Sequence, residues 1–141
     1  MANRWLVKSD PDDYSFDDLV RDGRATWDGV ANPLALKHIR LMHEGDEVLV
    51  YATGKEKAII GRARVASEPF ADPKQDDPKA AVVDLVPGER LARPVTLAEV
   101  KADPFFAEFY LVRQGRLSVM PVDDAQWQRL LKMATKPAAK K

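Results

Sequence analysis

Residues 5–15 read Trp5-Leu6-Val7-Lys8-Ser9-Asp10-Pro11-Asp12-Asp13-Tyr14-Ser15, and residues 26–30 read Thr26-Trp27-Asp28-Gly29-Val30. From Arg4 to Lys8 the side chains alternate, Trp5 and Val7 on one side and Leu6 and Lys8 on the other, which predicts a strand. Ser9-Asp10-Pro11 then turns the chain toward a short acidic helix. Trp5 and Trp127 fall in strand and helix patterns that account for them as core, whereas Trp27 is read in a polar turn because a charge and a glycine follow it. An aromatic face beside hydrogen-bonding groups suits a flat heterocycle, since the ring stacks while donors and acceptors read the edge. The same ring would also plug one end of a small barrel, and position alone leaves both readings open.

Working outward, Ser15 with Asp18 forms a capping pair, Phe16, Leu19 and Val20 make an apolar stripe, and Gly23 ends the helix. Asn32-Pro33 starts a second helix whose buried face is Leu34, Leu36, Ile39 and Met42. Asp46 to Ala52 and Ala58 to Ala66 read as a hairpin around Thr53-Gly54-Lys55-Glu56-Lys57. Gly61 inside the second strand marks either a bulge or a close approach of ligand or backbone. Pro69 to Pro78 reads as a loop and Ala80 to Val86 as a buried strand. Thr96 to Glu99 is a capping box, and Asp103-Pro104 opens a further turn with Phe105 and Phe106. Arg116 to Val119 alternates as a last strand ended by Pro121, and Asp123 with Gln126 caps a helix with Trp127, Leu130 and Leu131 on one face. The segment from Ala134 onward reads as a disordered basic tail. Several strands edged by short helices predict an α+β domain built on a small, partly open β-barrel.

A chain of 141 residues, 45% hydrophobic, suits one domain. It has no cysteine, which excludes disulfides, cysteine zinc sites and thiol nucleophiles. No apolar run approaches the ~20 residues of a membrane span, and Met1-Ala2-Asn3-Arg4 leads straight into the first strand, so a cytoplasmic protein without membrane contact is expected. The 22 basic and 22 acidic residues cancel, which argues against nonspecific attraction to polyanions. The charges are nonetheless uneven, since residues 110–141 hold seven bases against two acids.

Catalytic patterns are thin. His38 and His43 are five apart, which does not place them on one helix face, and no third ligand accompanies them, so no metal site is expected. Gly54-Lys55 fails as a phosphate loop because Leu49 stands in place of the first glycine and Glu56 follows the lysine. The acids Asp12, Asp13, Asp17 and Asp18 sit where a helix start favours negative charge. Ser9 lacks a histidine beside it, and Lys8 would serve as its base only if buried.

The segments Trp5 to Ser15, Trp27 to Asn32, Gly45-Asp46, Ile60-Gly61, Pro94 to Lys101 and Arg116 to Val122, in this order, make the chain resemble the EVE domain family, of the PUA-like superfamily and related to the YTH readers of methylated RNA. The resemblance implies a PUA-like barrel over residues 1–133, followed by the tail 134–141. It implies a noncatalytic pocket for a methylated or hydroxymethylated base in DNA or RNA, needing no cofactor, in a monomer. Carried over, Trp27 is the stacking wall, Lys8, Ser9 and Asp10 read the base edge, and Asn32 is a polar wall. Gly29 and Gly61 permit close approach, Tyr51 lies nearby, and Leu117, Ser118 and Pro121 close the far side. Arg113 and Arg116 are the expected phosphate contacts, with Lys37, Arg40, Lys55 and Lys57 as the second choice. Pro33, Ala52 and Met120 depart from the family pattern, where Tyr, His and Gln are usual. Two rival functions remain: a ribonuclease of the related ASCH type, using Lys8 with Tyr51, and a sensor of a free nucleobase or other planar ligand.

Overall fold

The computed structural model describes residues 3–27, 30, 32–73 and 80–135. Strand β1 (Arg4–Ser9) leads to helix α1 (Phe16–Asp22), and β2 (Ala25–Trp27) leads to α2 (Pro33–Arg40). The hairpin β3 (Glu47–Ala52) and β4 (Ala58–Val65) follows, then β5 (Phe70–Ala71) and the long β6 (Ala81–Thr96). The chain continues through α3 (Leu97–Ala102), a 3-10 turn (Pro104–Phe106), α4 (Tyr110–Arg113), β7 (Val119–Pro121) and α5 (Asp124–Thr135). The sheet order is β2-β6-β4-β3-β1-β7, with β5 pairing on β6. Among the described residues only β1 and β3 run parallel; the other pairs are antiparallel. The result is a mixed sheet curled into a half-barrel with short helices against it, in agreement with the α+β, partly open barrel expected.

Local chemistry starts the helices as read. Ser15 accepts from Asp18 N while Asp18 reaches back to Ser15 N, and Thr96 and Glu99 form the same reciprocal box. Asn32 Oδ1 accepts from Leu34 N and Ala35 N, with Pro33 in the first helical position, where its missing N–H costs nothing. Asp123 and Gln126 exchange the corresponding bonds before α5.

Where tertiary contacts intervene, the elements differ from expectation. β6 runs 16 residues, through Pro87, Gly88 and Pro94, instead of stopping near Val86. Its pairing with β4 slips on both sides of Gly61, so the strand bends past these turn-forming residues rather than ending at them. The last strand is Val119–Pro121, leaving Arg116 before it and Pro121 within it, paired with Trp5. The buried face of α2 is Ala35, His38 and Ile39, with Leu34 and Leu36 only half-buried. His38 is a core residue whose Nδ1 lies 2.7 Å from Val119 O. Val20 is 51% exposed instead of joining the stripe of α1. Ala134 is buried within α5, so the helix continues where the tail was expected to begin; residues 136–141 lie outside the described residues.

Gly61 is explained by packing. A Cβ there would stand 2.4 Å from the Phe16 ring, so α1 docks on β4 only because position 61 has no side chain. The bulge reading is correct, and the space over this glycine is taken by Phe16.

Candidate functional site

The end of β1 is held on both sides. Lys8 pairs with Tyr51 and Ser9 with Ala52 of β3, Thr53 N donates to Ser9 O at 3.0 Å, and Lys8 N donates to Ser118 O at 2.9 Å. Successive side chains of a strand leave on opposite faces, so Lys8 and Ser9 look into different surroundings.

On the Ser9 side, the hydroxyl donates to Tyr14 O, closing the turn in which Asp10 O accepts from Asp13 N and Tyr14 N and Asp10 Oδ1 accepts from Asp12 N. This places the Tyr14 ring edge-on to Trp27, centroids 6.2 Å apart at 80°. The Tyr14 hydroxyl donates to Asp22 at 2.7 Å. Burial first, then the bond to Asp22 and its charge, push the phenol up to about 12, so it remains a hydrogen-bond donor across the neutral range. Trp27 is half-buried and is the last residue of β2, paired with Val83, rather than part of a turn. Asp84 fixes that strand by accepting from Thr26 Oγ1 at 2.7 Å and Arg24 Nε at 3.0 Å. Trp27 therefore has a defined position, with an aromatic partner that the sequence reading left without a role. Tyr14 stood in the segment carrying the resemblance; only the turn made by Ser9 and Asp10 reveals its contact.

On the Lys8 side lies a cavity of about 220 Å³ lined by Lys8, Tyr51, Lys57, Leu97, Lys101 and Gly115 among others, and by none of Ser9, Tyr14 or Trp27. Lys8 Nζ donates to Gly115 O at 2.6 Å and sits 5.5 Å from the centre of the Tyr51 ring. Burial lowers the Lys8 ammonium from its ordinary value and raises the Tyr51 phenol, both in the direction of the neutral form.

The remaining predicted residues divide in the same way. Asn32 commits its carbonyl to capping α2, leaving the amide nitrogen as its donor. Ser118 is half-buried and touches β1 through its backbone, while Leu117 is core. Pro121 lies opposite Trp5, about 10 Å down the strand from Lys8, too far along to close a pocket at Ser9. Gly29 lies outside the described residues. Arg113 is ion-paired with Glu108, both exposed, and Arg116 is exposed in the turn before β7. Of the family departures, Pro33 starts α2, Ala52 is buried against Ala58, and Met120 is fully buried opposite Leu6, so Met120 belongs to the core. Among the described residues no group of three or more His, Asp and Glu side chains is arranged to hold a metal, and no helix is long and apolar enough to cross a membrane.

The EVE domain model matches residues 3–133. Human thymocyte nuclear protein 1 is 28% identical over 96% of this chain and 76% of its own length. Among solved structures, the NMR structure of Rpa0253 from Rhodopseudomonas palustris superposes with a TM-score of 0.90 at 36% identity, covering 99% of each chain. The crystal structure of the human THYN1 protein in complex with 5-methylcytosine-containing DNA superposes with a TM-score of 0.88 at 26% identity, covering 96% of this chain and 99% of that one.

Proposed function

The chain belongs to the EVE domain family, and from that premise we propose that it recognises a methylated or hydroxymethylated base in a nucleic-acid strand without altering it chemically. The observation that carries this reading is the Ser9–Tyr14–Trp27 assembly, a positioned indole in T-shaped contact with Tyr14, whose backbone the Ser9 hydroxyl holds. The human relative crystallised with 5-methylcytosine-containing DNA supports the same class of ligand. In this reading an extruded base stacks on Trp27, with Tyr14 bounding the face, and its edge is read by Ser9, Asp10 and the amide nitrogen of Asn32. Stacking contributes about 1–3 kcal/mol and extrusion costs a few, so the edge contacts decide which base is held. Gly61 and Pro121 take no part, because Phe16 covers one and Trp5 pairs with the other. The protein acts as a monomer in the cytoplasm, with no cofactor.

The test is calorimetry with oligonucleotides that differ at one base, comparing 5-methylcytosine, 5-hydroxymethylcytosine, N6-methyladenine and their unmodified parents in DNA and RNA, alongside the free nucleosides. One modified oligonucleotide binds at least about tenfold more tightly than its parent and its free nucleoside, a difference of about 1.4 kcal/mol. Equal affinities throughout refute the reading, and tighter binding of a free nucleoside makes the protein a small-molecule sensor.

One observation favours a second reading. Lys8 lies beside the Tyr51 ring in a cavity, and burial lowers the lysine and raises the phenol from their ordinary values, which puts two groups of the kind that move protons in ribonucleases side by side. Cleavage of labelled RNA that vanishes in both Lys8→Ala and Tyr51→Phe would establish it.

A further inference from the structure

Three lysines from three separate elements line the cavity on the Lys8 side: Lys8 from β1, Lys57 from the hairpin and Lys101 from α3. Its lining contains no carboxylate, and among the described residues none pairs with these lysines. In the same molecule Arg4, Arg21, Arg24, Arg62, Arg90, Arg113 and Arg129 each pair with an acid. Like charges gathered without a counter-charge repel, so the arrangement is unfavourable for the unliganded fold and favourable once an anion enters.

The placement of Lys57 points the same way. Among the described residues it is the one non-glycine residue in the left-handed region, at φ 44, a conformation in which Cβ crowds the backbone. The strained conformation is retained at the cavity rim, where Lys57 O accepts from Leu97 N at 2.8 Å and ties the hairpin to the start of α3. Lys101 is fixed at the other end of that six-residue helix, whose capping box is reinforced by Arg93 Nη1 and Nη2 on Glu99 at 2.9 and 2.8 Å. Lys8 uses one ammonium hydrogen on Gly115 O and keeps two for a ligand.

We propose that this cavity holds a backbone phosphate of the nucleic-acid strand whose base lies against Trp27. This rests on the reading above and adds to it a site, made by Lys57 and Lys101 with Lys8, in place of the Arg113 and Arg116 contacts expected from the sequence. Lys8 and Ser9 leave β1 on opposite faces, so a strand passing the end of β1 would present a phosphate on the Lys8 face and a base on the face of Ser9 and Tyr14. The cavity has room for a phosphate and the adjoining sugar atoms.

The test uses the full chain and the double variant Lys57→Asn/Lys101→Gln. Asparagine tolerates the left-handed backbone and glutamine keeps the helix, so both charges go while the fold is kept, checked by denaturation. In the first arm, inorganic phosphate is titrated against chloride at constant ionic strength while amide shifts are followed by NMR. Phosphate moves Thr53, Gly54 and Gly115 in the natural protein and not in the variant. In the second arm, oligonucleotide affinity is measured against salt. The slope of log Kobs falls by about two in the variant, about one per lysine, equally for modified and unmodified strands, and the ratio between them is unchanged. A variant with an unchanged slope, or phosphate shifts equal to those from chloride, overturns the site. If the natural protein binds no oligonucleotide, the modified-base reading falls and so does the backbone assignment. Phosphate shifts lost in the variant then identify a site for a free phosphate compound instead.

Discussion

The two ends of β1 treat their polar groups in opposite ways. At the start, Trp5 Nε1 donates to Asp46 at 2.9 Å, and this buried carboxylate also accepts from Asn3 N at 3.1 Å and His43 N at 2.9 Å. The guanidinium groups of Arg4 and Arg62 lie 5.4 and 5.8 Å from the centre of the Trp127 ring, and both arginines pair with Glu47. Most donors, acceptors and rings there are engaged with one another, although the buried Arg4 Nε has no hydrogen-bond partner. At the far end, three strand residues after Trp5, Lys8 lines a cavity that also has Lys57 and Lys101 in its lining and no carboxylate, and Ser9 holds the turn carrying Tyr14, which meets the half-buried Trp27. One strand therefore carries an end whose carboxylates are paired and an end whose lysine meets no carboxylate among the described residues, and the difference is made by which partners the sheet brings beside it.

The largest expected effect sharpens this contrast. Trp127→Ala should destabilise the fold by about 3–5 kcal/mol, as removal of a fully buried ring does, whereas Trp27→Ala should leave chemical denaturation far less changed. Equal losses in the two variants would mean that Trp27 is core. Gly61→Ala comes next. The new methyl must displace Phe16, costing about 1–3 kcal/mol of stability, while affinity per folded molecule stays the same; an affinity loss beyond the unfolded fraction would return Gly61 to the binding site. Trp27→Ala should then weaken oligonucleotide binding by about 1–3 kcal/mol in calorimetry, with the modified base losing more than its parent.

Smaller effects follow from charges. The Arg93 bonds first, then those from Thr96, outweigh burial and hold the Glu99 carboxyl at about 2, below its ordinary 4.5. Because the folded value is the depressed one, this contribution is complete above pH 4.5 and is lost as pH falls toward 2. With a third of the Glu99 side chain exposed, solvent limits it to about 1 kcal/mol or less. Glu99→Gln should flatten the stability profile in that window, and an unchanged acid limb would show that the Arg93 pair does not brace α3. The smallest effect belongs to Arg113→Ala, within about 0.5 kcal/mol of stability, with a salt slope unaltered because Glu108 already neutralises it. A slope reduced by one would restore the phosphate role expected from the sequence.

What the residues determined by themselves was local. The caps at Ser15, Asn32, Thr96 and Asp123, the alternation of Arg4–Ser9 and the core tryptophans Trp5 and Trp127 were legible because each depends on neighbours within four residues or on a one-sided apolar pattern. The tertiary structure decided whatever depends on partners distant in the chain. β6 continues through two prolines and a glycine because β4 shifts register to follow it, and Gly61 is glycine because Phe16, 45 positions earlier, occupies the place of its side chain. The predicted site divided for the same kind of reason. Lys8, Ser9 and Trp27 read as one pocket, but strand alternation turns Lys8 toward Tyr51 and the cavity that Lys57 and Lys101 also line, and leaves Ser9 holding Tyr14, which meets Trp27. Spacing along a chain shows which face of a strand a side chain leaves by; only the folded sheet determines what waits on that face.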